Sequence, residues 1–231
     1  MLEHVGVIMD GNRRWARSHK MELYLGHNKG AENFGHLCDW CLEDGIKFLT
    51  VYAFSTENWK RADKEIKHLF ALMEKFFIQE KTKCAEKGIR IKIIGELGRF
   101  DSRAMSIIRD IENATAHCEN LYVQIALSYG GRDEIVRAAK KIAAEAVNGV
   151  LAPALLNEEI FGRYLDTANV PDVDLVIRTG GEENRRLSNF LPWQTVYAEL
   201  FFSALLWPEF TREEFTRAVR YFYSVTRKVG E

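Results

Sequence analysis

The sequence predicts an α/β fold with a central, mostly parallel β-sheet flanked by helices. Short β-branched and aromatic runs alternate with longer amphipathic segments along the 231-residue chain, and this alternation favours a parallel sheet with helices on its faces. The composition agrees, because 47% hydrophobic and 28% charged residues suit a folded core and exclude disorder. With four prolines, no internal repeat and no linker-like tract, we expect a single domain over residues 1–231.

Five apolar runs predict the strands of this sheet. They cover residues 5–9, 48–54, 89–94, 122–127 and 175–177. In open α/β sheets, ligands bind beyond the carboxyl ends of the strands, where helix N-termini offer backbone N–H groups. The residues just beyond each strand are therefore where a site is expected.

Four further segments predict helices. Apolar residues recur at helical spacing over residues 30–44 and 64–86. An Ala-rich helix over 133–147 would open at Asp133 as its N-cap and close at Gly149. Thr211, followed by acidic residues before an apolar run, has the capping chemistry of a last helix.

The charge balance excludes one broad class of function. The chain has 32 Lys and Arg residues against 33 Asp and Glu residues, which gives a formal net charge of −1. A general nucleic-acid binder would carry a clear basic excess. No nucleic-acid partner is therefore expected.

The four cysteines are too few and too scattered for a secreted disulfide framework, so a reducing cytoplasm is the expected compartment. Cys38 and Cys41 form a C-x-x-C pair, which raises a metal or redox interpretation. The pair lies in a segment with helical apolar spacing and has no second C-x-x-C to complete a zinc site. A buried helix is the favoured interpretation.

Neither a leader nor a membrane span is expected from the apolar runs. The first run ends early, at Asp10, which is unlike a signal peptide. The apolar stretch 190–210 contains Glu199 near its centre and is interrupted by Pro192 and Pro208, so a transmembrane helix is not expected there.

The first candidate site comes after the first strand, in the sequence Met9-Asp10-Gly11-Asn12-Arg13-Arg14-Trp15. The carboxylate of Asp10 suits Mg²⁺, while two arginines at a helix start suit a phosphate. The alternative, an N-cap aspartate with a solvated basic helix face, remains open on this segment alone.

Two further polar clusters come after later strands. The second strand ends in Tyr52-Ala53-Phe54-Ser55-Thr56-Glu57-Asn58-Trp59, which crowds hydroxyl, carboxylate, amide and indole groups together. The fifth is followed by Arg178, a Gly180-Gly181 turn, Arg185, Arg186 and Ser188, a second diphosphate-sized anion site. There the alternative is a surface ion-pair network with Glu182 and Glu183.

Two anion sites at one edge of a sheet suggest a two-substrate enzyme that acts on phosphorylated compounds. The apolar helix 64–86, which carries Phe70, Phe76 and Phe77, could wall a cleft for a hydrocarbon tail. The carboxylate of Glu199, in an apolar stretch, is expected to be paired, hydrogen-bonded or metal-bound, because burying it alone is costly.

Five motifs in order carry a family resemblance. They are Asp10-Gly11-Asn12-x-Arg14-Trp15-Ala16, Gly26-His27-x-x-Gly30, the run from Tyr52 to Trp59, Ser128-Tyr129-Gly130-Gly131-Arg132, and Arg178-Thr179-Gly180-Gly181-Glu182 with Arg186-Leu187-Ser188-Asn189-Phe190. Together they resemble the cis-prenyltransferase family, whose type member is undecaprenyl diphosphate synthase. The match spans about residues 5–207, and the D-D-x-x-D motifs of trans-prenyl synthases do not occur in the sequence.

The resemblance implies a single α/β domain with a hydrophobic tunnel, in a cytoplasmic homodimer that could meet the membrane peripherally through its product. It implies Mg²⁺-dependent condensation of isopentenyl diphosphate with an allylic diphosphate, such as farnesyl or geranylgeranyl diphosphate, to form a polyprenyl diphosphate with a Z double bond.

The resemblance also implies residue roles. Asp10 would bind Mg²⁺, and Glu199 matches a family carboxylate linked to metal binding or to the architecture of the site. Asn58 and Ser55 would help to remove a proton. The allylic diphosphate would be held by Gly11, Asn12, Arg14 and His27, and isopentenyl diphosphate by Arg178, Arg186 and Ser188. The reacting centre would be lined by Ser55, Glu57, Asn58 and Trp59. Substrate binding would also involve Arg13, Trp15 and Arg61.

Three positions depart from the family pattern. Leu23 stands where the family usually has an arginine. The loop 182–186 is about two residues longer than usual, so Arg185 could replace Arg186. The end of the chain carries Lys228 within Arg-Lys-Val-Gly, whereas the family commonly ends in Arg-x-Gly. These departures keep two alternatives open: an atypical member that makes a short prenyl diphosphate or uses an unusual acceptor, and a subunit of a heteromeric prenyltransferase.

Overall fold

The computed structural model describes residues 1–181 and 185–225. Glu182, Glu183 and Lys228, on which some of the sequence-based expectations rest, lie outside the described residues. The strands are β1 (His4–Ile8), β2 (Phe48–Ser55), β3 (Ile89–Ile94), β4 (Leu121–Tyr129), β5 (Leu175–Arg178) and β6 (Glu199–Phe202). They form one sheet in the order β3-β4-β2-β1-β5-β6, and each neighbouring pair is parallel. The predicted α/β fold class is confirmed.

The helices are α1 (Asn12–Ser18), α2 (Leu23–Glu43), α3 (Asp63–Glu86), α4 (Ser102–Thr115), α5 (Gly131–Val147), α6 (Glu158–Gly162) and α7 (Arg212–Ser224). Thr211 caps α7 as predicted, since its hydroxyl accepts a hydrogen bond from the backbone of Glu214. Asp133 is not an N-cap, because α5 begins two residues earlier and Gly130 takes that position. β6, α4 and α6 were not predicted.

Each face of the sheet carries its own core. Val5, Val7 and their counterparts on the other strands pack against α2, α3, α4 and α7. The opposite face buries Tyr52, Phe190 and Leu191. Successive side chains of a strand point to opposite faces of the sheet. A parallel sheet that is covered on both sides therefore needs apolar side chains on both faces.

The C-x-x-C pair belongs to the first of these cores. Cys38 and Cys41 are 6% and 0% exposed on α2, and both are free thiols. Burial raises the pKa of the Cys38 thiol well above its ordinary value. The buried-helix interpretation is confirmed.

Helices α1 and α2 pack closely beside the carboxyl edge of the sheet. A Cβ atom added to Gly26 would lie 2.2 Å from the backbone oxygen of Asn12. A Cβ atom added to Gly30 would lie 2.5 Å from Oδ1 of Asn12. Glycine at these two positions therefore sets how near α1 approaches α2. Among the described residues, no helix combines the length and apolar character needed to cross a bilayer.

Candidate active site

Asp10 lies just beyond β1, at the carboxyl edge of the sheet. Its backbone oxygen accepts hydrogen bonds from Oγ1 of Thr179, at 2.8 Å, and from the backbone of Trp207, at 3.0 Å. Its carboxylate contacts two cations: Oδ2 is 3.0 Å from Nη2 of Arg178, and Oδ1 is 3.3 Å from Nη2 of Arg14. With 33% of its side chain exposed, the carboxylate is fixed by its neighbours and open to a ligand.

The Gly180-Gly181 turn makes room for this cluster. Gly180 has a φ of +106°, and a Cβ atom there would lie 2.6 Å from Nη2 of Arg14 and 3.0 Å from the Asp10 carboxyl carbon. A side chain at this position would be strained and would collide with the ion pair. The turn therefore lets the end of β5 lie against the start of α1.

A cleft of about 780 Å³ opens over these groups. Polar residues that line it include Asp10, Asn12, Arg13, Arg14, Arg17, His27, Ser55, Glu57, Asn58, Arg61, Arg178, Ser188 and Asn189. The predicted clusters after β1, β2 and β5 thus share one cleft, as the rule for carboxyl ends of parallel strands requires. Cationic groups outnumber carboxylates in this lining, so the cleft suits an anionic ligand.

The residues after β2 form a short 3-10 helix, Thr56–Lys60, which begins with a capping box at Ser55. The side-chain oxygen of Asn58 accepts a hydrogen bond from the backbone of Ser55 at 3.1 Å. Burial alone would raise the pKa of Glu57, but hydrogen bonds from its own backbone N–H, from Ser55 and from Asn189 hold it below its usual value. Glu57 is thus held as a carboxylate at the rim of the cleft.

Arg178 ends β5 and is almost wholly buried, with 6% of its side chain exposed. Its Nη1 donates to the backbone oxygen of Arg186 and to Oγ of Ser188, the latter at 2.7 Å. Together with Asp10, three acceptors therefore fix the guanidinium before any ligand arrives. Its Nε is buried without a hydrogen-bond partner among the described residues.

On the other side of the cleft, His27 of α2 faces Arg13 of α1 and Arg61. Burial, and then the charge of Arg61, lowers the pKa of His27 to about 4. Its imidazole is therefore neutral near pH 7. The pKa of Arg61 is also lowered, chiefly by burial. Oε1 of Glu65 lies within 4 Å of all three basic side chains.

An apolar cavity of about 110 Å³ adjoins the cleft. Met9, Asn12, His27, Ala53 and Leu69 line both spaces. Beyond them, the cavity is walled by apolar side chains that include Phe34, Val51, Phe54, Leu72, Met73, Phe76, Phe77 and Ile125. A polar cleft thus leads directly into an apolar pocket between the sheet, α2 and α3.

Three of the predicted substrate-binding residues lie beside the cleft. The ring of Trp15 packs on His19, with centroids 4.5 Å apart, and Trp59 donates its Nε1 hydrogen to Oγ of Ser128 at 3.0 Å. Arg186 has an exposed side chain and meets Arg178 through its backbone oxygen. Arg185 is exposed as well.

Glu199 begins β6 and pairs with Leu175, at the amino end of the sheet. Leu175 lies beside Val5 of β1, five residues before Asp10, which corresponds to roughly 16 Å along a strand. Ligands of one Mg²⁺ ion must lie within about 2.1 Å of it. Within one chain, Glu199 therefore does not reach the same metal ion as Asp10, and its link to metal binding stays a prediction.

Two residues of the site were not predicted from the sequence: Glu65 and Asn189. Glu65 is four residues after Arg61, and the i, i+4 spacing of opposite charges in the first turn of α3 was its available signal. Asn189 donates to Glu57 at 3.1 Å and accepts from the backbone of Arg132 at 2.9 Å. It thus joins the loops after β2, β4 and β5.

The donor set at Asp10 suits Mg²⁺ held mainly by a substrate. The part of the chain that the structure describes has no group of three or more His, Cys, Asp or Glu side chains that could hold a metal. Mg²⁺ is commonly bound by one or two carboxylates together with phosphate oxygens and water. A partly exposed carboxylate at the mouth of an anion cleft fits that pattern.

Residues 8–230 match the model of a protein family described as "Putative undecaprenyl diphosphate synthase". The chain belongs to this family. The match extends over the three clusters that meet at the cleft. The resemblance to cis-prenyltransferases is confirmed, and the chain is a prenyl-transferring enzyme.

Relatives support membership of the undecaprenyl diphosphate synthase family along the whole chain. An isoprenyl transferase of Aquifex aeolicus is 43% identical over 228 residues, covering 99% of this chain and 95% of the relative. A geranylgeranyl-diphosphate-specific tritrans,polycis-undecaprenyl-diphosphate synthase of Pyrococcus horikoshii is 43% identical over 230 residues, covering 99% of this chain and 86% of the relative.

A solved structure also matches closely. It is lavandulyl diphosphate synthase from Lavandula x intermedia in complex with dimethylallyl diphosphate. Its TM-score is 0.95 at 33% sequence identity, and the superposition covers 99% of this chain and 98% of the other.

Proposed function

We propose that this chain condenses isopentenyl diphosphate with an allylic diphosphate, such as farnesyl or geranylgeranyl diphosphate, to give a prenyl diphosphate with a Z double bond. The observation that carries the proposal is the cleft. It sets Asp10 between Arg14 and Arg178 and opens into an apolar cavity. The names of the relatives above support the same reaction.

In this reaction the terminal alkene carbon of isopentenyl diphosphate forms a bond to C1 of the allylic substrate. The allylic C1–O bond breaks, diphosphate leaves with the electron pair, and a proton leaves C2 of isopentenyl diphosphate. Negative charge grows on the leaving group, so fixed guanidinium groups lower the barrier. We assign Arg13, Arg14, Arg61 and His27 to the allylic diphosphate.

Arg178 and Ser188 are assigned to isopentenyl diphosphate. Because Arg178 is held by three acceptors, it can orient the attacking alkene with little loss of side-chain entropy, which is catalysis by positioning. Asn58 and Ser55 line the same cleft, and we assign to them the direction of the departing proton. No covalent nucleophile is needed.

We propose that Asp10 holds Mg²⁺ together with the leaving diphosphate. When bound, the ion neutralises charge on that leaving group. Asp10 itself contributes a carboxylate whose backbone is fixed by Thr179 and Trp207. Because the same carboxylate contacts Arg14 and Arg178, a metal ion held by Asp10 would be coupled to the arrangement of both diphosphate sites.

The apolar cavity is proposed as the start of the tunnel for the prenyl tail. Its volume is about 110 Å³. This small volume, together with the walls formed by Phe34, Phe76 and Phe77, favours a short-chain product as a second candidate. A polyprenyl product would require these side chains to move apart.

We also propose a homodimer formed through the edge strand β6. Val196, Tyr197, Leu200 and Tyr221 expose between 37% and 69% of their surface near this edge, and exposed apolar patches beside a sheet edge commonly mark an interface. Analytical ultracentrifugation tests this, with Leu200→Lys expected to shift the species from dimer to monomer.

The enzyme is proposed to be cytoplasmic, in keeping with four cysteines that are all free. It would meet the membrane peripherally, through its product.

Product sizing tests the function. Purified protein is incubated with labelled isopentenyl diphosphate, allylic primers of five, ten, fifteen or twenty carbons (about the natural range), and Mg²⁺ or EDTA. We expect Mg²⁺-dependent incorporation, with product length showing which candidate is right. No incorporation with any primer would contradict the proposal and favour a subunit that requires a partner.

A further inference from the structure

Glu65, in the first turn of α3, brings three basic side chains of the cleft together. Its Oε1 lies 3.2 Å from Nη1 of Arg61, 3.6 Å from Nε of Arg13 and 3.7 Å from Nε2 of His27. The three partners come from different parts of the chain: α1, α2 and the segment before α3. Only 13% of the Glu65 side chain is exposed.

Glu65 itself is not among the described residues that line the cleft, whereas Arg13, His27 and Arg61 are. The carboxylate therefore touches these groups from behind. Nε of Arg13 and Nε2 of His27 are buried and have no hydrogen bond within the described chain. Ion contact with Glu65 offsets part of the cost of burying the Arg13 guanidinium, and the neutral imidazole of His27 lies near the same oxygen.

The two arginines would repel one another without this carboxylate. The charge of Arg13 acts in the same direction as burial in lowering the pKa of Arg61. A single oxygen placed between them allows both guanidinium groups to stay close together. In metal sites, carboxylates that do not touch the metal orient the side chains that bind it. Glu65 has a comparable place behind the basic side chains of the cleft.

We infer that Glu65 is a positioning residue for the allylic diphosphate. It holds Arg13, Arg61 and His27 as one array that faces the cleft, so that the diphosphate meets an assembled site. This inference rests on the proposed function, because it assigns those three residues to the allylic substrate. Arg178 and Ser188 are held by other contacts and do not depend on Glu65.

Glu65→Gln removes the charge and keeps the size of the side chain. We expect the KM for the allylic diphosphate to rise about tenfold, because binding must then order two guanidinium groups that repel one another. The KM for isopentenyl diphosphate should stay within about twofold. Glu65→Asp keeps the charge on a shorter stem and should restore part of the allylic affinity.

Glu80→Gln is the matched control. Glu80 lies on the same helix and forms a surface pair with Lys83, so its replacement should leave both KM values unchanged. Thermal melting of each variant reports any general loss of stability. Equal rises in both KM values, or an unchanged allylic KM, would overturn the inference.

Calorimetric titration with inorganic diphosphate separates this inference from the proposed function. Weaker diphosphate binding by Glu65→Gln, with recovery in Glu65→Asp, supports the positioning role even if the wild-type protein elongates no primer. The positioning role would be overturned, and the proposed function kept, if the wild-type enzyme elongates primers but Glu65→Gln binds inorganic diphosphate as tightly as the wild type or more tightly.

Discussion

Asp10 and Arg178 form an ion pair that joins the ends of two neighbouring strands. Oδ2 of Asp10 lies 3.0 Å from Nη2 of Arg178, and the two residues lie at the carboxyl ends of β1 and β5, which pair in parallel. The pair couples the two anion sites that the sequence predicted separately. A substitution of either residue should therefore alter the binding of both substrates.

Arg178→Lys should weaken the isopentenyl diphosphate site. Lysine keeps the charge but cannot contact Asp10, Ser188 and the backbone at position 186 with one planar fork. Hydrogen bonds to charged groups are worth roughly 1.5–3 kcal/mol, so we expect the KM for isopentenyl diphosphate to rise at least about tenfold in steady-state kinetics. Arg163→Lys, in an exposed pair with Glu159, is the control, and equal effects of the two variants would contradict the assignment.

Gly26→Ala should destabilise the contact between α1 and α2. The new Cβ atom would lie 2.2 Å from a backbone oxygen, and overpacking of this kind costs about 1–3 kcal/mol. Gly35→Ala on the same helix adds a Cβ atom with nothing within 4 Å and should stabilise by about 0.5–1 kcal/mol. Urea denaturation measures both free energies of unfolding. Effects of the same sign would contradict the packing argument.

His27 should make the fold sensitive to acid. Burial, followed by the charge of Arg61, lowers its pKa from 6.5 to about 4. Between these values the unfolded chain binds more protons than the folded chain, so the free energy of unfolding falls as the pH is lowered from 6.5 to 4. The contribution is up to roughly 3 kcal/mol, at about 1.4 kcal/mol for each pKa unit.

Urea denaturation of His27→Gln across this pH range measures that contribution. The variant should show a shallower loss of stability than the wild type. The exposed His36 lies on the same helix, and His36→Gln should keep the wild-type slope. An unchanged slope in His27→Gln would show that the pKa of His27 is the same in the folded and unfolded chains, which would contradict the lowered value.

The sequence predicts the sheet well because the inner strands β1, β2, β4 and β5 are largely buried on both faces and therefore stand out as apolar runs. It does not predict β6, because Glu199–Phe202 lies inside a longer aromatic stretch without clear periodicity. Because β6 was not predicted, the position of Glu199 could not be predicted either. Only the strand register shows that this residue lies at the amino end of the sheet.

The candidate site likewise contains residues that the sequence predicts and others that it does not. Asp10, Arg14 and Arg178 could be predicted because residues after parallel strands meet at one edge. Glu65 could not, since its importance arises from side chains of α1 and α2 that fold onto α3. Local sequence indicates which residues come after a strand, whereas tertiary packing decides which helix residue lies behind the cleft.

The rate of isopentenyl diphosphate incorporation by Asp10→Asn tests the central claim most directly. Asparagine keeps the shape of the side chain but removes the charge needed for Mg²⁺, and the loss of one such electrostatic contact costs about 100-fold to 1000-fold. We predict a fall of at least about 100-fold with farnesyl diphosphate and Mg²⁺, with an unchanged circular dichroism spectrum. Asp39→Asn, in a surface pair with Lys87, should retain full activity. A rate for Asp10→Asn close to that of Asp39→Asn would contradict the claim that condensation takes place at this carboxylate.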